Sequence, residues 1–298
     1  MSDSPIERAT ERRSPLWPSG GSSVVGVMGD PIGHSLSPLL HNAAFDALGL
    51  DWVSVAFCVP AGAARDALAG MRALGIVGLS VTMPHKGDAA AAVDECSDVA
   101  GRLGVVNCIT SEGGRLVGDS TDGAGFLASL RRGAGFDPAG RRCLVVGAGG
   151  AARAVVMALA DGGADEVVVV NRTGVRAAEA AALAGAVGRV GSATDIGRAE
   201  LVVQATSVGM AGVGATDDPG MSMPFDPAAL HAGQLVADLV YHPAVTPLLA
   251  AATAAGARTI GGLGMLVHQA ALAIERWTGQ AAPVEAMWAA AERSTPTG

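Results

Sequence analysis

The chain has 298 residues and 20 basic side chains, of which only one is a lysine, Lys86. Every other basic position is arginine, so the lysine marks a place where arginine was not acceptable. A second feature is chemical by its spacing. In Cys143-Leu-Val-Val-Gly-Ala-Gly-Gly-Ala-Ala152, the residues Gly147, Gly149 and Ala152 take the G-x-G-x-x-G/A positions of a dinucleotide-binding turn. Gly147 permits the tight turn, Gly149 lets backbone approach a pyrophosphate, and Ala152 lets the following helix pack close to the sheet. The helix start offers free N–H groups and a partial positive charge to phosphates. The run Val167-Val-Val-Val ends in Asn171-Arg172-Thr173, with Arg176 one helical turn on. An NAD site usually has an acid there, to hold the ribose 2′-OH. Two guanidinium groups suit a 2′-phosphate instead, which favours NADP.

The elements that must position these groups alternate along the chain. Strands are predicted at Val24–Met28, Trp52–Cys58, Ile76–Thr82 and Gly104–Thr110, with helices at Ser37–Leu48, Ala61–Leu74, after Pro84, before Gly101 and over Asp122–Arg132. Ser37 reads as the N-cap of its helix, with Pro38 in the first helical position. From Arg142 the order is strand Cys143–Val146, helix Gly149–Ala160, strand Glu166–Val170 and helix Thr173–Leu183. Strands at Leu201–Ala205 and Leu235–Leu239 follow, then helices at Leu263–Trp277 and Val284–Arg293. Repeated βα units with short connections imply α/β architecture and a parallel sheet covered on both faces. Polar clusters fall at the strand ends of the first half: Gly33-His-Ser35-Leu-Ser37-Pro38, Ser80-Val-Thr-Met-Pro-His-Lys86, Val106-Asn107 and Gly118-Asp-Ser-Thr-Asp122-Gly. A polar loop, Gly209 to Asp226, connects two strands.

Composition excludes several classes. A net charge of −8, with no block of Lys or Arg, argues against nucleic acid and anionic membrane as partners. No uncharged apolar stretch reaches the roughly 18 residues of a membrane span. Residues 1–23 hold Pro5, Pro15 and Pro18 among polar residues and read as a disordered tail, not a secretory signal. Cys58, Cys96, Cys108 and Cys143 lack metal-ligand spacing and read as buried free thiols in a reducing cytoplasm. The six histidines are dispersed, so no metal site is expected.

The polar clusters, taken with Gly147-Ala-Gly-Gly-Ala, Asn171-Arg-Thr, Ala205-Thr-Ser-Val-Gly and Gly264-Met-Leu-Val-His-Gln269-Ala, closely resemble the shikimate dehydrogenase family, in order from about Val24 to Trp288. The resemblance implies two domains. A substrate-binding α/β domain would span residues 24–122, completed by 265–298, and a Rossmann-type NADP domain would span 123–264. It implies reversible, NADPH-dependent reduction of 3-dehydroshikimate to shikimate, with two alternatives: the same chemistry on quinate or an aminoshikimate-like ring acid, or a catalytically inactive cofactor-binding homologue. Lys86 and Asp122 would be the catalytic pair. Negative charge develops on the ring oxygen during hydride transfer and must be stabilised and protonated. A compact ammonium does both, whereas a guanidinium holds its proton and is too wide. Ser35 and Ser37 would bind the substrate carboxylate with Tyr241 nearby, and Thr82, Asn107 and Gln269 the ring hydroxyls. Gly147, Gly149, Gly150, Ala151, Asn171, Arg172, Thr173, Arg176, Thr206, Ser207, Gly262 and Met265 would contact the cofactor. The implied partner is a small ring carboxylate, and the protein a cytoplasmic monomer or homodimer.

Four positions depart from the family pattern: Ser80 and Ser120 for the usual Asn, Gln204 for Asn, and Gly261 for Asp. They lie beside the substrate and cofactor loops and leave the preferred ring acid open, while Ser37, where quinate-using relatives often carry Thr, favours shikimate.

Overall fold

The computed structural model describes residues 18–210 and 223–294. Residues 1–17 of the expected tail and 211–222 of the polar loop lie outside the described residues. The end of the tail is anchored, since the Ser22 hydroxyl donates to Asp51 Oδ1 at 2.5 Å.

Two six-stranded sheets form the chain. The first lobe contains β1 (Ser23–Gly29), α1 (Ser37–Leu48), β2 (Trp52–Cys58), α2 (Ala64–Ala73) and β3 (Gly78–Val81). It continues with α3 (Lys86–Ala90), β4 (Glu95–Cys96), α4 (Asp98–Leu103), β5 (Cys108–Glu112) and β6 (Arg115–Asp119). Its sheet runs β2-β1-β3-β5-β6-β4 and is mixed, because β5 pairs antiparallel with both β3 and β6. The parallel sheet expected from the βα units after Arg142 concerns the second lobe, and this first sheet differs from it by its antiparallel hairpin. Gly113 and Gly114, with φ of 58° and 86°, turn the chain back into a hairpin. The returning strand, Arg-Leu-Val-Gly-Asp, has too short an apolar run to announce itself.

After α5 (Asp122–Ala134), the second lobe builds β7 (Arg142–Val146), α6 (Gly150–Asp161), β8 (Glu166–Val170), α7 (Gly174–Ala182), β9 (Gly188–Val190) and β10 (Leu201–Gln204). Then come β11 (Leu235–Asp238), α8 (Pro247–Ala254) and β12 (Arg258–Ile260). Its sheet, β12-β11-β10-β7-β8-β9, is parallel throughout. Read from β9, this is the 3-2-1-4-5-6 order of doubly wound dinucleotide folds. Buried Val and Leu of β7, β8 and β10 fill its centre, as expected for strands covered on both faces.

Each sheet contains a point where the chain leaves in opposite directions from neighbouring strands, which opens a crevice at their carboxyl ends. In the second sheet it lies between β7 and β10, and in the first between β1 and β3. Two final helices, α9 (Leu263–Thr278) and α10 (Val284–Ser294), return to the first lobe. Met265 packs in the core of the second lobe, while Val267, Ala270, Ala271, Ile274 and Trp277 pack with Leu40 and Phe45 of α1. Thus α9 crosses from one core to the other. Gly125 on α5 allows this crossing to sit close, because a Cβ there would lie 2.7 Å from the Gln269 backbone nitrogen.

Two local expectations are corrected. Leu36, not Ser37, occupies the N-cap of α1, and the Ser37 N–H donates to the Ser35 hydroxyl at 3.3 Å. Of the four thiols, Cys108 and Cys143 are buried, Cys96 is half-buried and Cys58 is exposed at a strand end.

The core also holds a histidine. His41 is buried edge-on to Trp277 and hydrogen-bonds the Ser54 hydroxyl at 2.9 Å. Burial pushes its pKa from 6.5 down to about 3, so it stays neutral in the fold. The unfolded chain therefore binds one more proton between those values, and stability falls as pH drops from 6.5 towards 3. We expect His41→Gln to flatten this acid limb by on the order of a few kcal/mol, measured by urea unfolding of both chains across that range.

Candidate active site

The two crevices meet in one cavity of about 460 Å³, between the lobes. Lys86 opens α3, which the chain reaches through a turn closed by the His85 N–H donating to Thr82 O at 3.0 Å. The buried His85 ring ties that turn down, because Nε2 donates to Val59 O at 2.7 Å. Asp122 opens α5. Lys86 Nζ and Asp122 Oδ2 are 2.5 Å apart, with side chains 17% and 7% exposed. The pair is thus shielded from water yet open to the cavity, where a charge is worth more than in bulk solvent.

An amide network fixes Asp122. Asn107 Nδ2 lies 2.8 Å from Asp122 Oδ1, 3.0 Å from Thr121 Oγ1 and 3.3 Å from Gln269 Oε1. The amide has two hydrogens for three acceptors, so the 3.3 Å contact is the one it can release to a ligand. Asn107 Oδ1 accepts from the Thr121 N–H at 2.7 Å, and the Thr121 hydroxyl donates to Gln269 O at 3.1 Å. Thr121 is a positioning residue that sequence reasoning passed over. Its only signal was its place inside Thr-Asp-Gly, where a helix cap was an equally good account.

Ser35 and Ser37 line the same cavity, as do Thr82 and Tyr241. Tyr241 comes from the second lobe, beyond β11, and faces the Leu36 backbone, which places it beside the serine pair. Burial raises its phenol pKa, with the Leu36 backbone offsetting part of the rise, so the hydroxyl is protonated at neutral pH. Ser80 also lines the cavity, with its buried hydroxyl unpartnered among the described residues. Ser120 has a buried unpartnered hydroxyl as well but is not among the lining residues.

Across the cavity lie Gly149, Gly150 and Ala151, with Thr206, Ser207, Gly262 and Met265. Gly150 sits against Lys86, since a Cβ there would lie 3.2 Å from Lys86 Cδ. Gly147 follows β7 with φ of 121°, and a Cβ would lie 2.8 Å from Ala205 O. Only glycine fits this turn between β7 and β10. Gln204 is buried and shapes the next loop, accepting from the Thr206 N–H at 2.8 Å and donating to Val208 O at 2.9 Å. Asn171, Arg172, Thr173 and Arg176 lie outside the cavity, at the end of β8 and the start of α7. Asn171 Nδ2 donates to Thr173 O at 3.0 Å. Arg172 and Arg176 are exposed, with no carboxylate partner among the described residues.

These features fit a phosphorylated dinucleotide. The N-terminus of α6 has no side-chain cap, Gly149 stands in open space, and two free guanidinium groups follow the second strand. Among the described residues no cluster of three or more His, Cys, Asp or Glu could hold a metal ion. No described helix is long and apolar enough to cross a membrane.

A doubly wound nucleotide lobe, a second α/β lobe and a shielded lysine–carboxylate pair between them fit a dinucleotide-dependent oxidoreductase. Comparison with known proteins narrows the class. The shikimate dehydrogenase substrate binding domain matches residues 27–109, shikimate / quinate 5-dehydrogenase matches 131–212, and the shikimate 5'-dehydrogenase C-terminal domain matches 262–292. A shikimate dehydrogenase (NADP(+)) of Moorella thermoacetica is 47% identical, over 89% of this chain and 91% of its own length. A shikimate dehydrogenase crystallised with NADP+ superimposes with a TM-score of 0.87 at 34% identity, covering 95% of this chain and all of its own. The Thermus thermophilus enzyme in complex with NADP(H) and shikimate gives 0.83 at 37% identity, over 91% of this chain and 99% of its own. The chain belongs to the shikimate dehydrogenase family and is an oxidoreductase of that family.

Proposed function

We propose that the chain catalyses the reversible, NADPH-dependent reduction of 3-dehydroshikimate to shikimate. The observation that carries this reading is the Lys86–Asp122 pair at 2.5 Å, facing a cavity shared with the glycine turn of α6. Gly147, Gly149, Gly150 and Ala151 would hold NADPH and Arg172 and Arg176 its 2′-phosphate, and the cofactor so bound would supply hydride to the substrate carbonyl. Asn171 and Thr173 shape the end of β8, and Thr206, Ser207, Gly262 and Met265 wall the nicotinamide end. Ser35 and Ser37 donate to the substrate carboxylate, with the protonated Tyr241 beside them. Thr82, Asn107 and Gln269 hold the ring hydroxyls.

As the carbonyl carbon accepts hydride, its oxygen becomes negative. Lys86 Nζ stabilises that charge and transfers its proton to the oxygen, so one hydride and one proton convert ketone to alcohol. Asp122 holds the ammonium in place, and after the transfer the neutral Lys86 amine regains one proton from solvent. In the reverse direction Lys86 takes the hydroxyl proton. The substrate-binding unit comprises 24–122 with 265–298, and the cofactor unit 123–264. The protein works in the cytoplasm on this reading, as a monomer or homodimer.

Steady-state kinetics on shikimate, quinate and aminoshikimate, each with NADP+ and NAD+, test the reading. We expect the highest kcat/KM for shikimate with NADP+. A preference for quinate or NAD+ would overturn the substrate or cofactor assignment separately.

A further inference from the structure

A second hollow, of about 450 Å³, lies on another face of α9. The main cavity takes Gly262, Met265, Leu266 and Gln269 from this segment, whereas the second takes Gly264 and His268, one turn apart. Its other walls are Ser129 and Arg132 of α5, Ile260 of β12 and Trp288 of α10. The volume lies within the roughly 300–1,000 Å³ typical of ligand pockets.

His268 and Ser129 are 6% and 5% exposed, line this hollow, and have no hydrogen-bond partner among the described residues. Buried polar groups are nearly always paired, so two unpaired ones facing a single space point to a partner that enters it. The Trp288 ring stands edge-on to His268 at 6.5 Å and 76°, and with Ile260 it gives the hollow an apolar wall. At the mouth, Arg132 forms an ion pair with Glu285, which also lines the hollow, at 3.7 Å, longer than a hydrogen bond, so a ligand carboxylate there competes with Glu285 for the guanidinium. Burial, together with the field of Arg132, lowers the His268 pKa, so this positive charge is felt inside the hollow.

We propose that this hollow is a second ligand site that takes a small cyclic carboxylate. The ring packs against Trp288 and Ile260. Arg132 and the Ser129 hydroxyl donate to the carboxylate, and the neutral His268 ring hydrogen-bonds a ring substituent. The site is separate from the catalytic pair and does not depend on the proposed reaction. The ligand chemistry is shared by two sources, the hydroxylated ring acids of the reaction itself and flat aromatic acids.

Calorimetric titration of the full chain with benzoate and with shikimate tests the proposal. For at least one of them we expect saturable binding that survives Lys86→Ala and weakens about tenfold in both Arg132→Ala and Ser129→Ala, the loss typical of a hydrogen bond to a charged group. The acid that binds more tightly identifies the source. Shikimate turnover in Arg132→Ala stays at the wild-type level, which shows that the variant is folded. Binding that persists unweakened in Arg132→Ala and Ser129→Ala, whatever Lys86→Ala does, would place the ligand in the main cavity and overturn the proposal. An absence of saturable binding by either acid would overturn it too.

Discussion

Lys86→Arg loses turnover nearly as completely as Lys86→Ala, by about 10²–10⁴-fold, the usual contribution of a positioned acid or base. Charge alone predicts the opposite, because arginine keeps it. Two physical facts decide the matter. A guanidinium holds its proton across the whole working range and cannot deliver it to a developing alkoxide. The space is also tight, since Lys86 Nζ sits 2.5 Å from Asp122 Oδ2 while its Cδ lies against Gly150. A broad planar head in that gap pushes on the backbone that receives the cofactor. We expect NADPH affinity in Lys86→Ala to stay close to wild type, and fluorescence titration of that variant separates loss of chemistry from loss of fold. Full activity of Lys86→Arg would mean that the single lysine of this chain is an accident of composition.

The double variant Arg172→Ala, Arg176→Ala weakens NADPH binding about 10²-fold or more and leaves NADH binding within about twofold. Hydrogen bonds to charged groups contribute roughly 1.5–3 kcal/mol each, and a phosphate facing two guanidinium groups makes several. Both arginines are exposed and lack carboxylate partners among the described residues, so removing them leaves no charge stranded and little stability at risk. Parallel titrations with NADPH and NADH read the effect directly. Equal weakening of both cofactors would show that the arginines serve the fold of the β8–α7 turn and not the 2′-phosphate.

Much of this architecture is legible in the sequence because its signals are local. Buried valine runs such as β8, and the glycine turn at Gly147, announce themselves through period and residue type. The second strand of the hairpin, β6, does not, because its residues alternate without an apolar stretch and it is defined by its partner β5. Short edge strands such as β9 and β12 are likewise held by neighbours more than by propensity. The site divides the same way. Lys86 stands out by its rarity, whereas Thr121 and the reach of Tyr241 to Leu36 exist only after distant segments meet. The departure at Gln204 also finds its reason in space: its longer amide spans the loop from Thr206 to Val208. Ser37 shows the converse. A good local capping signal gave way to Leu36, with Ser35 taking the backbone hydrogen bond.

The central claim is that one cavity joins hydride delivery to proton delivery by Lys86. The most direct measurement mixes the purified chain with 3-dehydroshikimate and NADPH, following absorbance loss of the cofactor and the ring product by NMR. The account predicts one shikimate formed for each NADPH consumed, with the reaction abolished to background by Lys86→Ala. Protein that binds NADPH, as judged by its fluorescence, yet consumes none in the presence of the ketone would contradict it.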